Sequence, residues 1–325
     1  MESKIRWGVL GCARIADRAV IPGILAASNA ELYALASTNP EKLLDFAHRH
    51  KPVKTYSSYE ALLDDPMVDA VYIPMPNGLH YAWTLKALAK KKPVLCEKPL
   101  GINEDQVKEM FLMAKEHGVP LMEAFAYRHS PLTTTVKSLV ASGEIGDLVF
   151  IDSHFSFFLD NGANVRLKSD LDGGATYDVG CYNLNIIRHL AGSEPSSIIA
   201  TGEIGAESGV DEVSVAILTF PGGLRASSMS SFHCPQRSEY TVVGSQGIIR
   251  VPIGFNSKGS LEIFLEKDGK NRGIKIETPD NYMLEVEQFG RCLLSGEKPL
   301  ISEEESLGNA RTIDTILQQI RSISG

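Results

Sequence analysis

The sequence predicts an α/β protein of two domains. Residues 1–125 are predicted to form a doubly wound α/β domain, and residues 126–325 an α+β domain with a large, open, mostly antiparallel sheet. The chain of 325 residues is longer than the ~250–300 residues at which a single hydrophobic core stops growing. Its first part alternates strand-like and helix-like segments, whereas its second part contains many strand-like segments and few helices. Length, alternation and the change of pattern near residue 125 together predict this class.

The alternation in the first 125 residues arises from short apolar runs separated by helical segments. One apolar run ends at Gly11, Pro40 suits the first turn of a helix, and Gly118 closes another helix. The predicted strands cover residues 5–10, 31–37, 69–73, 94–96 and 119–124, and the predicted helices cover residues 15–27, 40–50, 79–91 and 103–117. Repeated β-then-α order implies a parallel sheet with helices on both faces.

Strand-like segments separated by Gly, Pro and Asn dominate the rest of the chain. Because few helical segments interrupt them, the sheet they form is predicted to be mostly antiparallel. The predicted strands cover residues 148–158, 213–220, 224–232, 239–243, 248–251, 261–265 and 274–276, and the predicted helices cover residues 130–142, 178–190, 282–294 and 303–320.

One face of this second sheet is predicted to be left without helices. Along residues 148–158 one face carries Phe150, Asp152, His154, Ser156 and Phe158. A large open sheet needs both faces covered, and the predicted helices are too few to do so. We therefore predict a homodimer or homotetramer in which these sheets pair.

Composition excludes several classes of protein. The formal net charge of −8 argues against a nucleic-acid or anionic-membrane partner, because both require a basic surface. The five cysteines are odd in number, widely spaced and never arranged as CxxC, which excludes a disulfide scaffold and a zinc ribbon and favours the cytoplasm. No apolar stretch reaches the ~18–20 residues that span a bilayer, and no metal-binding motif is found.

The first predicted strand leads into a variant of the dinucleotide-binding fingerprint. Residues 11–16 have the form G-x-A-x-x-A, in which the first glycine makes the tight turn and the helix N-terminus faces the pyrophosphate. Ala13 adds a methyl group at the position where backbone approaches the phosphates. The residues expected to approach the cofactor are Gly11, Cys12, Ala13, Arg14 and Ile15. A tight turn without a ligand is the alternative interpretation.

The end of the second predicted strand favours NADP over NAD. NAD enzymes usually place an acidic residue there to bind the ribose hydroxyls. This sequence instead has Ser37 and Thr38, with Lys42 in the next turn and no acidic residue before Glu41. Hydroxyl groups and a cation suit a 2′-phosphate, so NADP is predicted and NAD stays possible. A capped helix start with a solvated lysine is the alternative.

Two further segments contain candidate catalytic residues. Glu97, Lys98 and Pro99 end a buried strand at the carboxyl edge of the sheet, where doubly wound folds bind ligands, and a cis peptide is predicted at Lys98–Pro99. A glycine-rich segment then opens a helix on which Asp178 and Tyr182, four residues apart, share one face. Taken singly, the first segment is usually only a turn, and Tyr182 a core tyrosine.

Together these segments resemble the glucose–fructose oxidoreductase / inositol dehydrogenase (Gfo/Idh/MocA) family. The resemblance extends over essentially the whole chain and is closest to the NADP-linked sugar branch; it rests on residues 7–16, 74–80, 97–99, 122–125 and 173–182. It implies a Rossmann domain and an oxidoreductase activity. Ala13, where the family usually has glycine, is a departure that puts the pyrophosphate geometry in question.

The resemblance also implies roles for individual residues. Lys98 and Tyr182 match the family's catalytic lysine and tyrosine, and Asp178 lies on the substrate side. Ser37 and Lys42 match its phosphate-binding residues. The residues expected near the cofactor on this basis also include Pro74, Asn77, His80 and Glu97.

Alcohol oxidation explains why a lysine and a tyrosine would act together. A base must take the hydroxyl proton while hydride leaves for the nicotinamide, and a free tyrosine, with a pKa near ~10, is a poor base at neutral pH. A neighbouring lysine stabilises the phenolate and lowers that pKa by about 1–3 units. We therefore predict Tyr182 as the acid/base group and Lys98 as its tuner.

Weaker candidates and other functions stay open. Tyr127, Arg128 and His129 are expected to line an interdomain cleft, with Arg128 near the cofactor, and Arg166 is expected to meet the substrate or the nicotinamide amide; each is otherwise solvated or structural. The favoured function is an NADP-linked dehydrogenase or reductase of sugars or related polyhydroxylated carbonyl compounds. The alternatives are a redox-neutral hydrolase or epimerase that retains its cofactor, and a non-catalytic regulator. The presence of both Lys98 and Tyr182 argues against a regulator.

Overall fold

The computed structural model describes residues 4–324, which form two compact units. The first unit contains the chain up to Gly101, Asp105–His129 and Pro279–Ser306, and the second contains Ile102–Glu104, Ser130–Thr278 and the chain from Leu307 onwards. This division differs from the predicted one, in which the chain passes once from the first domain to the second at residue 125. The structure returns a late segment to the first unit.

The first unit is built on a parallel sheet of six strands in the order β3-β2-β1-β4-β5-β6. The reversal of strand order beside β1 is that of a doubly wound fold, as predicted. The strands are β1 (Ile5–Leu10), β2 (Ala30–Ala36), β3 (Lys54–Tyr56), β4 (Ala70–Ile73), β5 (Val94–Glu97) and β6 (Leu121–Ala124). The short edge strand β3 lies outside the predicted strands, because its exposed residues give no apolar run.

Helices pack against this sheet and include one from late in the chain. The helices of the first unit are α1 (Ile21–Ala26), α2 (Pro40–His50), α3 (Tyr59–Leu63), α4 (Asn77–Ala89), most of α5 (Glu104–His117) and α8 (Asn281–Ser295). A Cβ atom on Gly23 of α1 would lie only 2.9 Å from the Tyr282 carbonyl carbon of α8. The ring of Phe289 in α8 lies 5.6 Å from that of Trp7. This close packing explains why α8 belongs to the first unit.

The second unit is built on a sheet of eight strands in the order β14-β13-β12-β11-β7-β10-β9-β8. Neighbouring strands are antiparallel except for the pair β7 and β10, which confirms the predicted mostly antiparallel sheet. The strands are β7 (Leu148–Phe158), β8 (Ser197–Ile204), β9 (Asp211–Thr219), β10 (Arg225–Ser231), β11 (His233–Gly244), β12 (Gly247–Val251), β13 (Gly259–Lys267) and β14 (Lys270–Thr278). Of these strands, β8 was not predicted from the sequence.

The two faces of this sheet have different surroundings. Helix α7 (Cys181–Ala191), which a π-helical turn (Thr176–Gly180) precedes, packs on the face that carries Ile151 and Ser153. The helix α6 (Pro131–Ala141) and most of α9 (Glu303–Ser324) also belong to this unit. On the other face Phe158 is 66% exposed and Ile199 is 73% exposed. No helix within residues 4–324 has the length and apolar character needed to cross a membrane.

Candidate active site

The loop after β1 has the conformation that a nucleotide-binding turn requires. Gly11 has a φ of +130°, a region that favours glycine, and its N–H donates to the Ala36 carbonyl at 3.0 Å. A Cβ atom on Gly11 would lie 3.8 Å from Pro74 Cγ, so the turns after β1 and β4 meet here. Cys12, Ala13 and Ile15 are half-buried and Arg14 is exposed. The structure thus places the five fingerprint residues together at the carboxyl edge of the sheet.

The end of β2 lies beside this loop. Ser37 is buried, and its Oγ accepts a hydrogen bond from the Asn39 N–H at 3.1 Å. The Asn39 side chain accepts from the Lys42 N–H at 2.9 Å and caps α2, while the Thr38 and Lys42 side chains are exposed. Burial raises the pKa of the Cys12 thiol, and a hydrogen bond with Ser37 and the charge of Lys42 oppose that rise. Hydroxyl, thiol and ammonium groups are therefore close neighbours.

The charges around α2 fit a phosphate group. Arg49, a second cation near Cys12, forms ion pairs with Asp17 and Asp45. Lys42, by contrast, forms no ion pair with any residue between 4 and 324. An ammonium group without an ion pair, near the exposed Thr38, is the arrangement expected for binding a 2′-phosphate. The residues present thus fit a phosphorylated dinucleotide.

The turn after β5 carries Lys98. The Lys98–Pro99 peptide bond is cis, as predicted, and Lys98 is half-buried. Glu97, at the end of β5, is buried and accepts a hydrogen bond from the Tyr72 hydroxyl at 2.6 Å. Asn77, another predicted cofactor residue, is the first residue of α4, the helix that precedes β5. Lys98 and Glu97 therefore project differently, and only the lysine is partly accessible.

His80 lies in the interior of the first unit, between two main-chain carbonyl groups. His80 is fully buried, with Nδ1 2.8 Å from the Pro99 carbonyl oxygen and Nε2 2.7 Å from the Met75 carbonyl oxygen. Burial lowers the pKa of His80 to about 4, and the charge of Lys98 adds to this effect. His80 therefore packs between the Lys98 turn and the loop after β4, and its contact with the cofactor stays a prediction.

After β6, Tyr127 and Arg128 are buried within the first unit and His129 is half-buried. The Arg128 guanidinium is 2.7 Å from Glu305 Oε1, and Tyr127 packs edge-on against the Phe125 ring at 6.1 Å. Burial lowers the pKa of His129 to about 3, so its imidazole is neutral at physiological pH. A cofactor contact of Arg128 stays a prediction.

In the second unit Asp178 lies beside Arg166. Arg166 Nε is 2.5 Å from Asp178 Oδ2, and the charge of Asp178 raises the pKa of the guanidinium. Asp178 belongs to the π-helical turn before α7, and Tyr182 follows one turn later. The sequence predicted both residues of this ion pair as site residues but not their pairing.

A buried carboxylate that the sequence did not reveal holds the start of this helix. Asp211 Oδ2, on β9, accepts from the Thr176 N–H at 2.7 Å and from the Thr176 Oγ1–H at 2.6 Å. Gly174 has a φ of +125°, and a Cβ atom there would lie 2.2 Å from Asp211 Oδ1. Burial raises the pKa of Asp211 to about 6. The glycine-rich entry to the helix is therefore required by the close approach of Asp211.

The hydroxyl group of Tyr182 lies in a polar position at the edge of an aromatic cluster. Tyr182 is 8% exposed, and its ring centroid is 5.7 Å from that of Phe155 and 5.3 Å from that of Phe255. Asn256 Nδ2 donates to the Tyr182 hydroxyl oxygen at 3.4 Å. The alternation of β7 places Phe155 on the face opposite Phe150 and Phe158, so the sequence contained that information. Nothing in the sequence pattern indicated Asn256, which lies in a loop.

Models of known families match both units. A model described as an oxidoreductase family with an NAD-binding Rossmann fold matches residues 5–125, and a model of the GFO/IDH/MocA C-terminal domain matches residues 133–250. This chain belongs to the Gfo/Idh/MocA family. The resemblance seen in the sequence is thus confirmed.

Relatives of this Gfo/Idh/MocA protein are similar over nearly its whole length. D-xylose 1-dehydrogenase (NADP(+)) 2 from Haloferax volcanii is 39% identical over 96% of this chain and 96% of its own. Trans-1,2-dihydrobenzene-1,2-diol dehydrogenase from Xenopus tropicalis is 32% identical over 97% of this chain and 98% of its own. The solved structure of a tyrosine-to-phenylalanine mutant of KijD10, a 3-ketoreductase from Actinomadura kijaniata, in complex with TDP-benzene and NADP, has a TM-score of 0.92, 27% identity and 98% coverage of both chains. The protein is accordingly an oxidoreductase of an NAD(P)-dependent, sugar-type family.

Proposed function

We propose that this oxidoreductase transfers hydride between NADP(H) and a sugar or a related polyhydroxylated carbonyl compound, with Tyr182 as the acid/base group and Lys98 as its tuner. The observation that carries the proposal is the environment of Tyr182. Its hydroxyl oxygen accepts a hydrogen bond from Asn256, and the Asp178–Arg166 ion pair lies one helical turn away. A phenol at the edge of a buried aromatic cluster, near polar side chains, suits proton exchange with an alcohol.

In this mechanism each side chain has a separate task. When bound, NADP supplies the nicotinamide that accepts or donates hydride. Tyr182 takes the proton from the substrate hydroxyl in oxidation and returns it in reduction, and the positive charge of Lys98 stabilises the phenolate. Asp178, held by Arg166 at 2.5 Å, accepts hydrogen bonds from further hydroxyl groups of the substrate.

The choice of NADP rests on the end of β2. Ser37, Thr38 and Lys42 bind the 2′-phosphate, while the fingerprint residues 11–15 bind the pyrophosphate. Lys42 has no ion pair among residues 4–324, so its charge is available to a phosphate. The NADP named in the xylose dehydrogenase relative, and bound in the KijD10 structures, supports this choice.

Variants of a relative support the pairing of Lys98 with Tyr182. The solved structures of KijD10 include lysine variants and a tyrosine-to-phenylalanine variant. The substituted lysine and tyrosine lie as far apart in the KijD10 chain as Lys98 and Tyr182 do in this one. Equal spacing is expected if these positions match Lys98 and Tyr182, and it supports the proposed pair.

The substrate class is proposed from the same relatives. They are named for xylose, for aldoses and for a didehydro-dideoxy sugar linked to dTDP, and each of these substrates is a sugar. The test is a panel of aldoses, inositols, deoxysugars and dicarbonyls with NADP or NADPH, followed by the absorbance of the reduced nicotinamide. Saturable, substrate-dependent turnover with at least one sugar is expected. Purified protein that retains its cofactor and converts a sugar without net nicotinamide reduction would instead support the redox-neutral alternative.

Two further predictions accompany the proposal. All five cysteines are free, in agreement with the predicted cytoplasmic location, which stays a prediction. The homodimer or homotetramer predicted from the open sheet is likewise proposed.

A further inference from the structure

The loop between β12 and β13 brings an amide side chain to Tyr182. Phe255 in this loop is buried, and its ring centroid lies 5.8 Å from that of Phe155 and 6.0 Å from that of Tyr240, with the ring planes nearly parallel in both pairs. Stacked aromatic rings are rigid neighbours. The position of Asn256, the next residue, is therefore fixed by the packing of Phe255.

The two ends of the Asn256 amide are unequally satisfied. Nδ2 donates to the Tyr182 hydroxyl oxygen at 3.4 Å, whereas Oδ1 is buried and accepts no hydrogen bond from any residue between 4 and 324. An amide oxygen has two lone pairs, and a buried acceptor that lacks a donor costs free energy. A donor group supplied by a ligand would remove that cost. A hydroxyl group is such a donor, and a sugar has several.

We infer that Asn256 binds a hydroxyl group of the substrate, on the carbon next to the reacting one, through Oδ1 while its Nδ2 orients the Tyr182 hydroxyl. The inference rests on the proposed role of Tyr182. Both atoms belong to one planar amide. The orientation of the Tyr182 hydroxyl therefore depends on whether the substrate carries the hydroxyl group that Oδ1 binds. A site built to bond a hydroxyl group discriminates strongly against analogues that lack it.

A neutral amide suits this position better than a carboxylate. Arg166, whose guanidinium interacts electrostatically with Tyr182, forms an ion pair with Asp178. A carboxylate in contact with the phenol would oppose phenolate formation. Asn256 offers an acceptor to the substrate without that penalty, and its N–H stabilises the phenolate.

The test measures two variants on two sugars. Asn256→Ala is compared with Ser257→Ala, its neighbour in the same loop, on the best aldose of the panel and on the deoxy analogue that lacks the hydroxyl next to the reacting carbon. We expect Asn256→Ala to lower kcat/KM for the aldose on the order of 10- to 100-fold. Its effect on the deoxy analogue should be several-fold smaller, and Ser257→Ala should change neither.

The pH dependence of kcat supplies a readout that a purely structural role would not move. Asn256→Ala should shift the profile to higher pH, because the phenolate loses a donor, and Asn256→Asp should shift it further. Equal losses on both sugars with an unchanged profile would overturn the inference.

Binding measurements distinguish this failure from that of the proposed function. In the Tyr182→Phe background, adding Asn256→Ala should raise the Kd of the aldose about tenfold and leave that of NADP unchanged. An unchanged aldose Kd would overturn the inference while the role of Tyr182 stands. If Tyr182→Phe is fully active, the proposed role of Tyr182 fails instead. Where circular dichroism shows that Asn256→Ala is unfolded, Asn256→Ser, which keeps a polar side chain, takes its place in both comparisons.

Discussion

At the scale of single residues, the proposed chemistry depends on one phenol. Tyr182 is 8% exposed and accepts a hydrogen bond from Asn256, so its oxygen has a defined position. A general acid or base contributes about 10²–10⁴-fold to the rate. We expect Tyr182→Phe to lower kcat on a confirmed substrate by a factor within that range. The Kd of NADP and the unfolding temperature should stay near those of the unmodified protein. Near-normal turnover would show that another group carries the proton.

Lys98 should be at least as sensitive. Lys98→Met removes the cation that stabilises the phenolate, so kcat should fall at least as far as in Tyr182→Phe, and the remaining pH–rate profile should move to higher pH. The double variant should lose little more than either single one, because the two residues act as a unit. Asp178→Asn serves as the comparison: it should change mainly KM, as expected of a residue that orients hydroxyl groups. Additive losses in the double variant would contradict the pairing.

The sequence identified the groups with charges and hydroxyls better than their surroundings. Lys98, Asp178 and Tyr182 stand in short motifs with fixed spacing, so pattern and resemblance found them. His80 stands in such a motif too, yet the structure buries it against two carbonyl oxygens. Asn256 contacts Tyr182 from a loop far along the chain, and only the packing of the folded sheet brings the two together.

At the scale of elements, the helix that carries Asp178 and Tyr182 depends on Asp211. This carboxylate accepts two hydrogen bonds from Thr176 at the helix start, and burial raises its pKa to about 6, against roughly 3.9 for an unfolded chain. Since the folded state then binds the proton more tightly, its stability contribution is fully present below pH about 4 and is lost as the pH rises through about 6. At neutral pH the Asp211 side chain is a charged carboxylate. Its burial then lowers the free energy of unfolding, while its two hydrogen bonds still hold Thr176 at the helix start.

Asp211→Asn tests this linkage. The side chain of the variant cannot titrate at this position. The free energy of unfolding of the unmodified protein minus that of the variant should therefore fall by about 2–3 kcal/mol between pH about 4 and pH about 7. Urea unfolding at both ends of this range measures the difference. Asp170→Asn, at an exposed position of the same unit, is the control and should show no such change. A difference that is constant with pH would mean that Asp211 keeps an ordinary pKa.

The junction of β2 and α2 gives a second prediction at this scale. Ser37 is buried, so an acidic residue is better introduced at exposed Thr38. Thr38→Asp with Lys42→Ala should raise the Kd of NADP by on the order of 10- to 100-fold, because the variant loses a cation and places a carboxylate near the 2′-phosphate. The Kd of NAD should stay or fall. Calorimetry measures both, with exposed Lys108→Ala as the control. Tighter binding of NAD than of NADP by the unmodified protein would contradict the argument.

At the scale of the whole molecule, the sequence predicted both sheets but not the path of the chain between the units. Apolar periodicity is local, so the strands of the first sheet and most of the second could be located from it. The allocation of α8 to the first unit depends on a long-range contact, the close approach of Gly23 to Tyr282. No local pattern encodes that contact. The edge strand β3 was not predicted because it is exposed and contains few apolar residues, so it shows no apolar periodicity.

The open face of the second sheet leads to the last prediction. Ile199 and Ile217 stand directly opposite each other on β8 and β9, and their side chains are 73% and 41% exposed. Paired apolar side chains on an open sheet are typical of an interface, so we expect a dimer or tetramer that buries them. Replacing both with lysine should yield monomers, because the two cations of each subunit would face the same cations of its partner. The control is Leu44→Lys, at a site on α2 that is 74% exposed, which should leave the assembly intact. Light scattering at micromolar concentration measures the mass of each variant; a monomeric unmodified protein would refute the prediction, and an intact double variant would place the interface elsewhere.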